Sequence, residues 1–255
     1  MIDCHSHIVC GVDDGSENAE QSLRILKEAE RAGFDKIILT PHYMDDYYIV
    51  PKKEIAEKIN VLQELCNNLK MNIKLYQGNE IYISNHIDQF LKDEKAVSLN
   101  NSRYVLFETP MNIEPQNLIE VIYKLKEMKK VPVLAHPERY AFIQKNPNKI
   151  LEYAEMGVLF QSNYGSLIGQ YGANSKKTIK LLLKNDIISF LGSDVHKEGH
   201  IYRKMPEIKN ILNKLVGEEK TEELTNTNIE KILNDEKIEK EIPSKIKQSI
   251  FSKLF

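Results

Sequence analysis

The sequence predicts an α/β protein built as a distorted seven-stranded β/α barrel of the TIM-like kind. Short apolar runs alternate with amphipathic runs along almost the whole chain, which is typical of parallel strands joined by helices. A histidine or an acid follows six of the seven apolar runs, and active sites of such barrels lie where strands end. We expect one domain over residues 1–255, with a C-terminal tail from about residue 236 to residue 255.

The elements follow in order along the chain. The predicted strands cover Ile2–His7, Lys36–Thr40, Ile73–Gln77, Arg103–Phe107, Val131–Ala135, Val158–Ser162 and Ile187–Leu191. The clearest predicted helices, with apolar residues at helical spacing, cover Glu20–Ala32, Pro51–Leu69, Leu118–Met128 and Lys176–Leu183. Gly33 and Gly157 each follow a helical run, where a helix C-terminus favours glycine.

Composition excludes several classes of protein. A hydrophobic content of 42% and a charged content of 28% are typical of a soluble globular protein, and a formal net charge of −2 gives no reason to expect a nucleic-acid partner. No apolar run approaches the roughly 20 residues that a membrane-spanning helix needs. Three cysteines without paired spacing favour a reducing compartment. Because the first strand begins at Ile2, we expect no cleavable leader and a cytoplasmic location.

Metal-binding residue types lie at the predicted strand ends. Residues two apart in a strand point to the same face, so His5 and His7 can bind one ion, and Asp194 and His196 repeat the spacing. His42, Glu80, Glu108 and His136 follow other strands, Asp14 lies in a tight turn after the first, and the sixth strand offers only Asn163. Burying so many acids and imidazoles together without cations would cost several kcal/mol. Nitrogen and oxygen ligands of these types suit Mn²⁺, Fe²⁺ or Zn²⁺.

These residues resemble a known family. His5-Ser-His7, Pro41-His42, Gly78-Asn-Glu80, Ala135-His136-Pro and Gly192-Ser-Asp194-Val-His196 are similar to the motifs of the polymerase and histidinol phosphatase (PHP) superfamily. Val12-Asp13-Asp14-Gly15, Glu80-Ile-Tyr82, Phe107-Glu108 and His136-Pro-Glu-Arg139-Tyr140 resemble its bacterial capsule-biosynthesis branch, the manganese-dependent protein-tyrosine phosphatases. The resemblance covers roughly residues 1–235.

The resemblance implies a PHP fold with three divalent metal ions. The first would take His5, His7, Glu80 and Asp194, the second would share Glu80 and add Glu108 and His136, and the third would take Asp14, His42 and His196. Asp13 is an open alternative to Asp14. Carboxylate-rich ligation favours manganese or iron over zinc. Four carboxylates bring a charge of −4 and three ions bring +6, so a surplus of about +2 would attract a phosphate dianion.

The implied chemistry is hydrolysis by a metal-bound hydroxide. Arg139, three residues after His136, can bind phosphate through two hydrogen bonds. Arg203 resembles the second family arginine, with His200 as the alternative in a loop that differs from the family pattern. His42 is a further candidate catalytic residue, and Asn163 and Tyr140 are candidate substrate contacts. Cysteine-based phosphatase chemistry is excluded because no cysteine has an arginine six residues later.

The leading functional hypothesis is a phosphatase for phosphotyrosine on a bacterial tyrosine kinase that regulates capsular or extracellular polysaccharide synthesis. Its substrate and pathway come from the resemblance. The alternatives are a phosphatase for histidinol phosphate or another small phosphomonoester, and a non-catalytic phosphoprotein-binding module.

Two features remain open from the sequence. Tyr43, Tyr47 and Tyr48 border a pocket for an aromatic phosphoester or only cover the rim. The stretch from Ile242 to Phe255 has three lysines, no acids and apolar residues at helical spacing. It is either a basic amphipathic helix that contacts an anionic membrane surface peripherally or binds a partner, or a terminal helix packed on the barrel.

Overall fold

The computed structural model describes residues 1–199 and 201–247. Within these residues the strands are short and all paired in parallel. They are β1 (Ile2–Asp3), β2 (Lys36–Leu39), β3 (His42–Tyr43), β4 (Lys74–Gln77), β5 (Glu80–Tyr82), β6 (Tyr104–Glu108), β7 (Val131–Ala135), β8 (Leu159–Asn163) and β9 (Phe190–Gly192). Parallel pairing requires a crossover between neighbouring strands, and helices supply most of these crossovers.

The helices alternate with the strands as the sequence predicts. They are α1 (Ala19–Arg31), α2 (Lys52–Asn68), α3 (Ile87–Lys92), α4 (Leu118–Glu127), α5 (Ala141–Lys145), α6 (Lys149–Glu155), α7 (Tyr164–Ile168), α8 (Gly172–Lys184), α9 (Met205–Val216), α10 (Glu218–Glu222) and α11 (Asn228–Leu233). Single 3₁₀ turns lie at Leu99–Asn101, Pro137–Arg139 and Tyr202–Lys204, and a π-helical turn lies at Glu223–Thr227. The Asn18 side chain accepts a hydrogen bond from the Gln21 N–H at 3.0 Å and so caps the start of α1.

The strands divide into two sheets, with orders β1-β2-β4 and β3-β5-β6-β7-β8-β9. The second predicted strand breaks after Leu39 and the third after Gln77, and strand structure resumes after two intervening residues, as β3 and β5. Pro41 lies in the first break and has no N–H to donate to a ladder. The prediction of one continuous seven-stranded barrel is therefore not confirmed. The observed architecture is an α/β fold with a curled, six-stranded parallel sheet beside a smaller one.

The two faces of the strands pack against different layers. Val105 and Phe107 belong to the large cluster between strands and helices. Tyr104 and Leu106, one residue out of phase, belong to a second cluster on the other face, because side chains alternate across a strand. Ile229 of α11 packs in this second cluster. Polar residues lie at the carboxyl ends of the parallel strands.

The last described residues cross the amino ends of the strands. The Tyr104 hydroxyl donates to the Glu236 carbonyl at 2.6 Å and accepts from the Ile238 N–H at 3.0 Å. Residues 242–247 are not helical, and Ile246 is buried, which favours a tail packed on the protein. The remainder of the predicted amphipathic tail, 248–255, lies outside the described residues. Among the residues that are described, no helix has the length and apolar character to cross a membrane.

Candidate metal centre

All nine predicted ligands lie in one cluster at the carboxyl ends of the strands. His5 and His7 follow β1, His42 and Glu80 begin β3 and β5, Glu108 ends β6, and His136 follows β7. Asp194 and His196 follow β9, and Asp14 enters from the turn after β1. The register of the sheet pairs His42 directly with Glu80. The strand ends thus bring together residues as far apart in sequence as His5 and His196.

Among the residues that the structure describes, three overlapping groups of side chains can each hold an ion. Their ligand atoms lie within 4.8 Å of one another, and the groups are His7, Asp14, His42 and His196; His5, His7 and Glu80; and His42, Glu80 and Glu108. Asp194 Oδ1 lies 3.6 Å from His5 Nε2 and 3.5 Å from His7 Nε2. His136 Nε2 lies 2.9 Å from Glu80 Oε1. These groups differ from the ligand sets that the resemblance implies in two places. His7 also lies in the group of Asp14, His42 and His196, and His42 also lies in the group of Glu80 and Glu108.

The donor spacing fits shared cations. Glu80 Oε2 is buried and accepts no hydrogen bond within the described residues. Imidazole nitrogens of His42, His5 and His7 nevertheless lie 3.1, 3.2 and 3.3 Å from it. Ligand atoms that are each about 2.1 Å from one ion stand roughly 3.0 to 3.4 Å apart. Nitrogens at these distances from a shared carboxylate oxygen are spaced as ligands of neighbouring cations are, so the residues fit metal.

The electrostatics of the carboxylates also favour cations. Burial opposes ionisation of Glu80, but the neighbouring imidazoles of His5 and His42 outweigh it and lower the pKa of this carboxyl well below its usual range. Burial, and then the charges of Glu80 and Asp194, raise the pKa of Glu108 well above its usual range. Burial and the nearby His7 lower the pKa of His42 to about 4. Cations would relieve the repulsion at Glu108, and His42 stays neutral as a ligand must.

Two further side chains orient the histidines at the centre. His5 Nδ1 hydrogen-bonds to Gln161 Oε1, and His7 Nδ1 to Asp13 Oδ2, each at 2.7 Å. These bonds direct the Nε2 atoms into the cluster, as partners of ligating histidines do. Burial opposes the charge on Asp13, but His7 outweighs it and lowers its pKa to about 2. The geometry therefore favours Asp14 over Asp13 as the ligand, since Asp14 Oδ1 faces His42 and His196 at 3.6 and 3.5 Å.

Two glycines allow the backbone to approach these histidines. A Cβ at Gly15 would lie 2.1 Å from the His7 carbonyl oxygen, and one at Gly192 would lie 2.7 Å from His5 Cβ. His136 and Asp194 themselves adopt the left-handed region, with φ of 34° and 53°. Such conformations are uncommon for residues other than glycine and cluster at functional sites. Backbone strain thus coincides with two of the predicted ligands.

The predicted arginines differ in their surroundings. Arg139 Nη1 donates to Asp194 Oδ2 at 2.8 Å, so this guanidinium borders the cluster. Arg203 instead pairs with Glu28 of α1, with its Nε donating at 3.0 Å, and its side chain is 68% exposed. The structure therefore brings Arg139 to the centre and places Arg203 in an ion pair with α1. His200 lies outside the described residues.

The predicted substrate contacts Tyr140 and Asn163 are both fully buried. The Tyr140 hydroxyl accepts a hydrogen bond from the Thr109 N–H at 3.1 Å, and its ring centroid lies 5.6 Å from that of His136. Asn163 Nδ2 donates to Asp194 Oδ2 at 2.6 Å. Neither side chain reaches solvent, and both lie behind predicted ligands, so their role as substrate contacts stays a prediction.

The sequence left the role of three tyrosines open, and the structure separates them. Tyr43 is buried with its ring centroid 5.0 Å from that of Phe90. Tyr48 stacks on His42, with centroids 5.8 Å apart and an interplanar angle of 15°. Tyr47 meets Tyr48 edge-on and is 73% exposed. Tyr47 and Tyr48 thus form an aromatic wall beside the cluster, while Tyr43 belongs to the core.

The sequence analysis missed Gln161 and Glu138. Glu138 is buried and accepts hydrogen bonds from the Ser162 hydroxyl, the Asn163 N–H and the Ser166 hydroxyl, so it holds the Arg139 turn against the end of β8. A signal for Gln161 was present, because Gln161 is a polar residue in the predicted strand Val158–Ser162 and lies two positions before the candidate Asn163. Glu138 stands in the His136-Pro-Glu-Arg139-Tyr140 motif, but the motif alone does not indicate that Glu138 holds the turn.

Together the fold and the site define an α/β protein with a candidate metal centre, rich in histidine and carboxylate, at the carboxyl edge of a parallel sheet. The family model described as "Capsular polysaccharide synthesis, CpsB/CapC" matches residues 1–234, and the chain belongs to this family. The capsule-biosynthesis resemblance inferred from the motifs is confirmed.

Similar proteins cover nearly the full chain. CapC of Staphylococcus aureus is 31% identical over 248 residues, which are 96% of this chain and 95% of CapC. The tyrosine-protein phosphatase YwqE of Bacillus subtilis is 30% identical, with 97% of each chain covered. A crystal structure from work on YwqE and on CpsB of Streptococcus pneumoniae, described as metal-dependent tyrosine phosphatases, matches with a TM-score of 0.90 at 30% identity. It covers 97% of this chain and 100% of that one.

Proposed function

We propose that this protein is a metal-dependent protein-tyrosine phosphatase, a hydrolase of phosphomonoesters. The observation that carries the proposal is the cluster of nine histidine and carboxylate side chains at the strand ends, five of which are buried. Relatives that are about 30% identical over the whole chain are named tyrosine-protein phosphatases. Each of the nine predicted ligands is a histidine, an aspartate or a glutamate, which are residue types that bind metal ions.

We propose that the cluster holds three divalent ions, with manganese favoured over iron and zinc. The support is the three overlapping ligand groups and the four carboxylates Asp14, Glu80, Glu108 and Asp194. Three divalent ions would change a charge of −4 to a surplus of about +2, which suits a phosphate dianion. When bound, such ions supply Lewis-acid activation of a water nucleophile and stabilise charge on the phosphoryl oxygens.

The residues of the chain itself provide position and specificity. Glu80 belongs to two of the ligand groups and so links them. Arg139, with a side chain that is 24% exposed, can bind phosphate oxygens at the edge of the cluster. The aromatic wall of Tyr47 and Tyr48 stands next to His42. An aryl phosphate that reaches the cluster can place its ring against this wall, which favours phosphotyrosine over a phosphate on a polar alkyl chain.

Accessibility supports a protein substrate. The Asp14 side chain is 55% exposed and that of His196 is 29% exposed, so the cluster opens to solvent on the side of these two residues. A site that opens widely can admit a phosphorylated side chain on a protein. We propose that the natural substrate is a phosphorylated bacterial tyrosine kinase that regulates polysaccharide synthesis, and that the protein acts in the cytoplasm.

We also propose two structural features of the chain. The chain forms one domain over residues 1–255. Its strands close into a seven-stranded barrel, in which β3 continues β2 and β5 continues β4. Closure would be completed by the parallel bridge between Ser6 and Val195, supported by the His7 N–H donating to the Val195 carbonyl at 2.9 Å.

The test compares two substrates on the same protein. Protein stripped of metal and then supplied with Mn²⁺ is expected to hydrolyse a phosphotyrosine peptide faster than histidinol phosphate. His136→Ala should lose this turnover, whereas the matched control His86→Ala should keep it, because His86 is exposed and lies outside the cluster. Preference for histidinol phosphate would assign the same site to a small metabolite. Binding of a phosphopeptide without turnover of either compound would indicate a binding module and contradict the proposal.

A further inference from the structure

We propose that Tyr171 is a positioning residue, which holds the guanidinium of Arg139 in place to bind the phosphate group of the substrate. The inference rests on the proposed function, since it concerns how the same site binds phosphate. Arg139 Cζ lies 4.3 Å from the centre of the Tyr171 ring. A guanidinium at this distance over an aromatic face is attracted by the electron density of the ring.

The guanidinium is held on a second side by Asp194. Arg139 Nη1 donates to Asp194 Oδ2 at 2.8 Å, and the Tyr171 hydroxyl lies 3.4 Å from the same oxygen. Asp194 Oδ1 faces His5 and His7 instead. One carboxylate thus connects the imidazoles with the arginine. The planar guanidinium is fixed at one edge by Asp194 and on one face by Tyr171.

The rest of the guanidinium is available to a ligand. Within residues 1–199 and 201–247, its only hydrogen bond is the one to Asp194. Arginine carries five N–H donors in a rigid fork that matches the oxygens of phosphate. The free donors of Arg139 can therefore bind phosphate oxygens while the ring and the carboxylate keep their contacts.

The backbone determines where Tyr171 stands. The residue lies between Gly169 and Gly172, which have φ of 91° and 89°, a region that favours glycine. The Gln170 N–H donates to the Gly165 carbonyl, and the Gly172 N–H to the Gly169 carbonyl, each at 3.0 Å. These bonds fold the segment between α7 and α8 back on itself. The ring is thus positioned by a tight turn whose two glycine conformations other residues rarely adopt.

A held arginine binds its ligand better than a free one. An arginine side chain loses rotamer freedom when it binds, and that loss weakens affinity. Contact with Tyr171 restricts the guanidinium before phosphate arrives, so less freedom is lost on binding. Removal of the ring should therefore weaken phosphate binding through Arg139 and should leave the metal content unchanged.

The primary test measures binding of inorganic phosphate to Mn²⁺-loaded protein by calorimetry. Tyr171→Leu is expected to weaken binding about tenfold, whereas Tyr171→Phe, which keeps the ring, should stay within about threefold of wild type. Tyr123→Leu is the matched control, because Tyr123 is a tyrosine of α4 that is 58% exposed. If Tyr171→Phe is as damaging as Tyr171→Leu, the hydroxyl contact with Asp194 is the important one, and the proposal is overturned.

A double-mutant cycle tests whether Tyr171 acts through Arg139. In an Arg139→Met background, Tyr171→Leu should change phosphate affinity by less than about twofold, because contacting residues that act together are not additive. An equal effect in both backgrounds would contradict the proposal, and so would loss of bound Mn²⁺ in Tyr171→Leu. In turnover assays, the effect should appear mainly in KM for a phosphotyrosine peptide. Wild-type protein that binds phosphate but hydrolyses no phosphotyrosine would refute the proposed function, while the cycle would still decide the role of Tyr171.

Discussion

The two ends of the parallel strands differ in how their charged side chains are paired. At the amino ends of the strands, charged groups meet partners of opposite sign: Arg103 pairs with Asp235 at 3.0 Å, and Lys220 and Lys240 flank Asp186 at 2.7 and 3.3 Å. At the carboxyl ends, four carboxylates crowd among five imidazoles. Among the described residues, none donates a hydrogen bond to Glu80 Oε2, and the pKa of Glu108 is raised by burial and by its neighbours' charges.

This difference separates stability from function. The amino end includes a cavity of about 440 Å³ between the strand starts and residues 237–243, and several charged groups around it form ion pairs within the protein. The carboxyl end has an arrangement that is complete only with cations. Changes at the carboxyl end should therefore alter metal binding and turnover, and changes at the amino end should alter folding.

The largest effect is expected for Glu80→Gln. The change removes a charge from the residue shared by two ligand groups, so we expect the kcat/KM for a phosphotyrosine peptide to fall by about a thousandfold or more. Glu120→Gln is the matched control, since Glu120 pairs with Lys124 on the exposed side of α4 and should leave turnover unchanged. Retention of activity in Glu80→Gln would break the contrast between the two ends.

The next prediction separates the adjacent aspartates of the turn after β1. Asp14→Asn should remove a ligand of one group and lower the number of bound Mn²⁺ ions. Asp13→Asn should keep the number but weaken affinity about 10- to 100-fold, because Asp13 acts through the hydrogen bond to His7. Equilibrium dialysis with metal analysis measures both quantities. The reverse pattern would identify Asp13 as the ligand.

At the amino end, Tyr104→Phe should lower stability without affecting turnover. The hydroxyl is the partner of both the Glu236 carbonyl and the Ile238 N–H, so its loss leaves two backbone groups unsatisfied. We expect the free energy of unfolding to fall by about 1–3 kcal/mol, as for other lost hydrogen bonds in buried positions. Urea denaturation of the variant and of Tyr123→Phe checks this. A variant that loses turnover at unchanged stability would contradict the division between the ends.

The smallest expected effect is a pH dependence of stability at Lys240. Burial lowers the pKa of this lysine from 10.5 to about 8, although Asp186 partly opposes the shift. The unfolded chain binds this proton more tightly than the folded one, so the contribution of Lys240 to stability rises as the pH increases from about 8 to 10.5.

Lys240→Met should lack this rise, which we expect to amount to about 1–2 kcal/mol. The measurement is the difference in unfolding free energy between wild type and variant at pH 7.5 and at about pH 10. Lys237→Met is the control, because Lys237 is 74% exposed and pairs with Glu239. A difference that does not change with pH would show that Lys240 is not perturbed by burial.

The sequence predicted which residues cluster at the strand ends more completely than it predicted which strands pair in the sheets. Each predicted ligand follows a short apolar run, and parallel strands bring such positions to one edge whatever the details of pairing. The breaks at Pro41 and at Gly78-Asn79 were visible only as single residues, which do not reveal that a strand divides between two sheets. The fold class therefore followed from periodicity, whereas strand pairing depended on tertiary contacts.

The surroundings of the ligands could not be predicted for the same reason. Tyr171 and Arg139 lie on different turns, and no local pattern links them before folding. Arg203 was assigned to the site from its place after the last metal motif, but Glu28 on α1 offers it a carboxylate partner. Tyr140 follows Arg139 directly, yet the turn at Pro137–Arg139 directs it into the core.

The most direct test of the account measures bound metal and turnover in one sample. Stripped wild-type protein is titrated with Mn²⁺ while bound ions per chain and hydrolysis of a phosphotyrosine peptide are both recorded, with Tyr104→Phe and Glu80→Gln in parallel. We predict three ions per chain in wild type and Tyr104→Phe, with turnover rising as the sites fill. In Glu80→Gln, we predict that the number of bound ions falls and that turnover is lost. Full turnover in stripped protein, or an unchanged ion count in Glu80→Gln, would contradict the assignment of the carboxyl-end cluster as the metal centre.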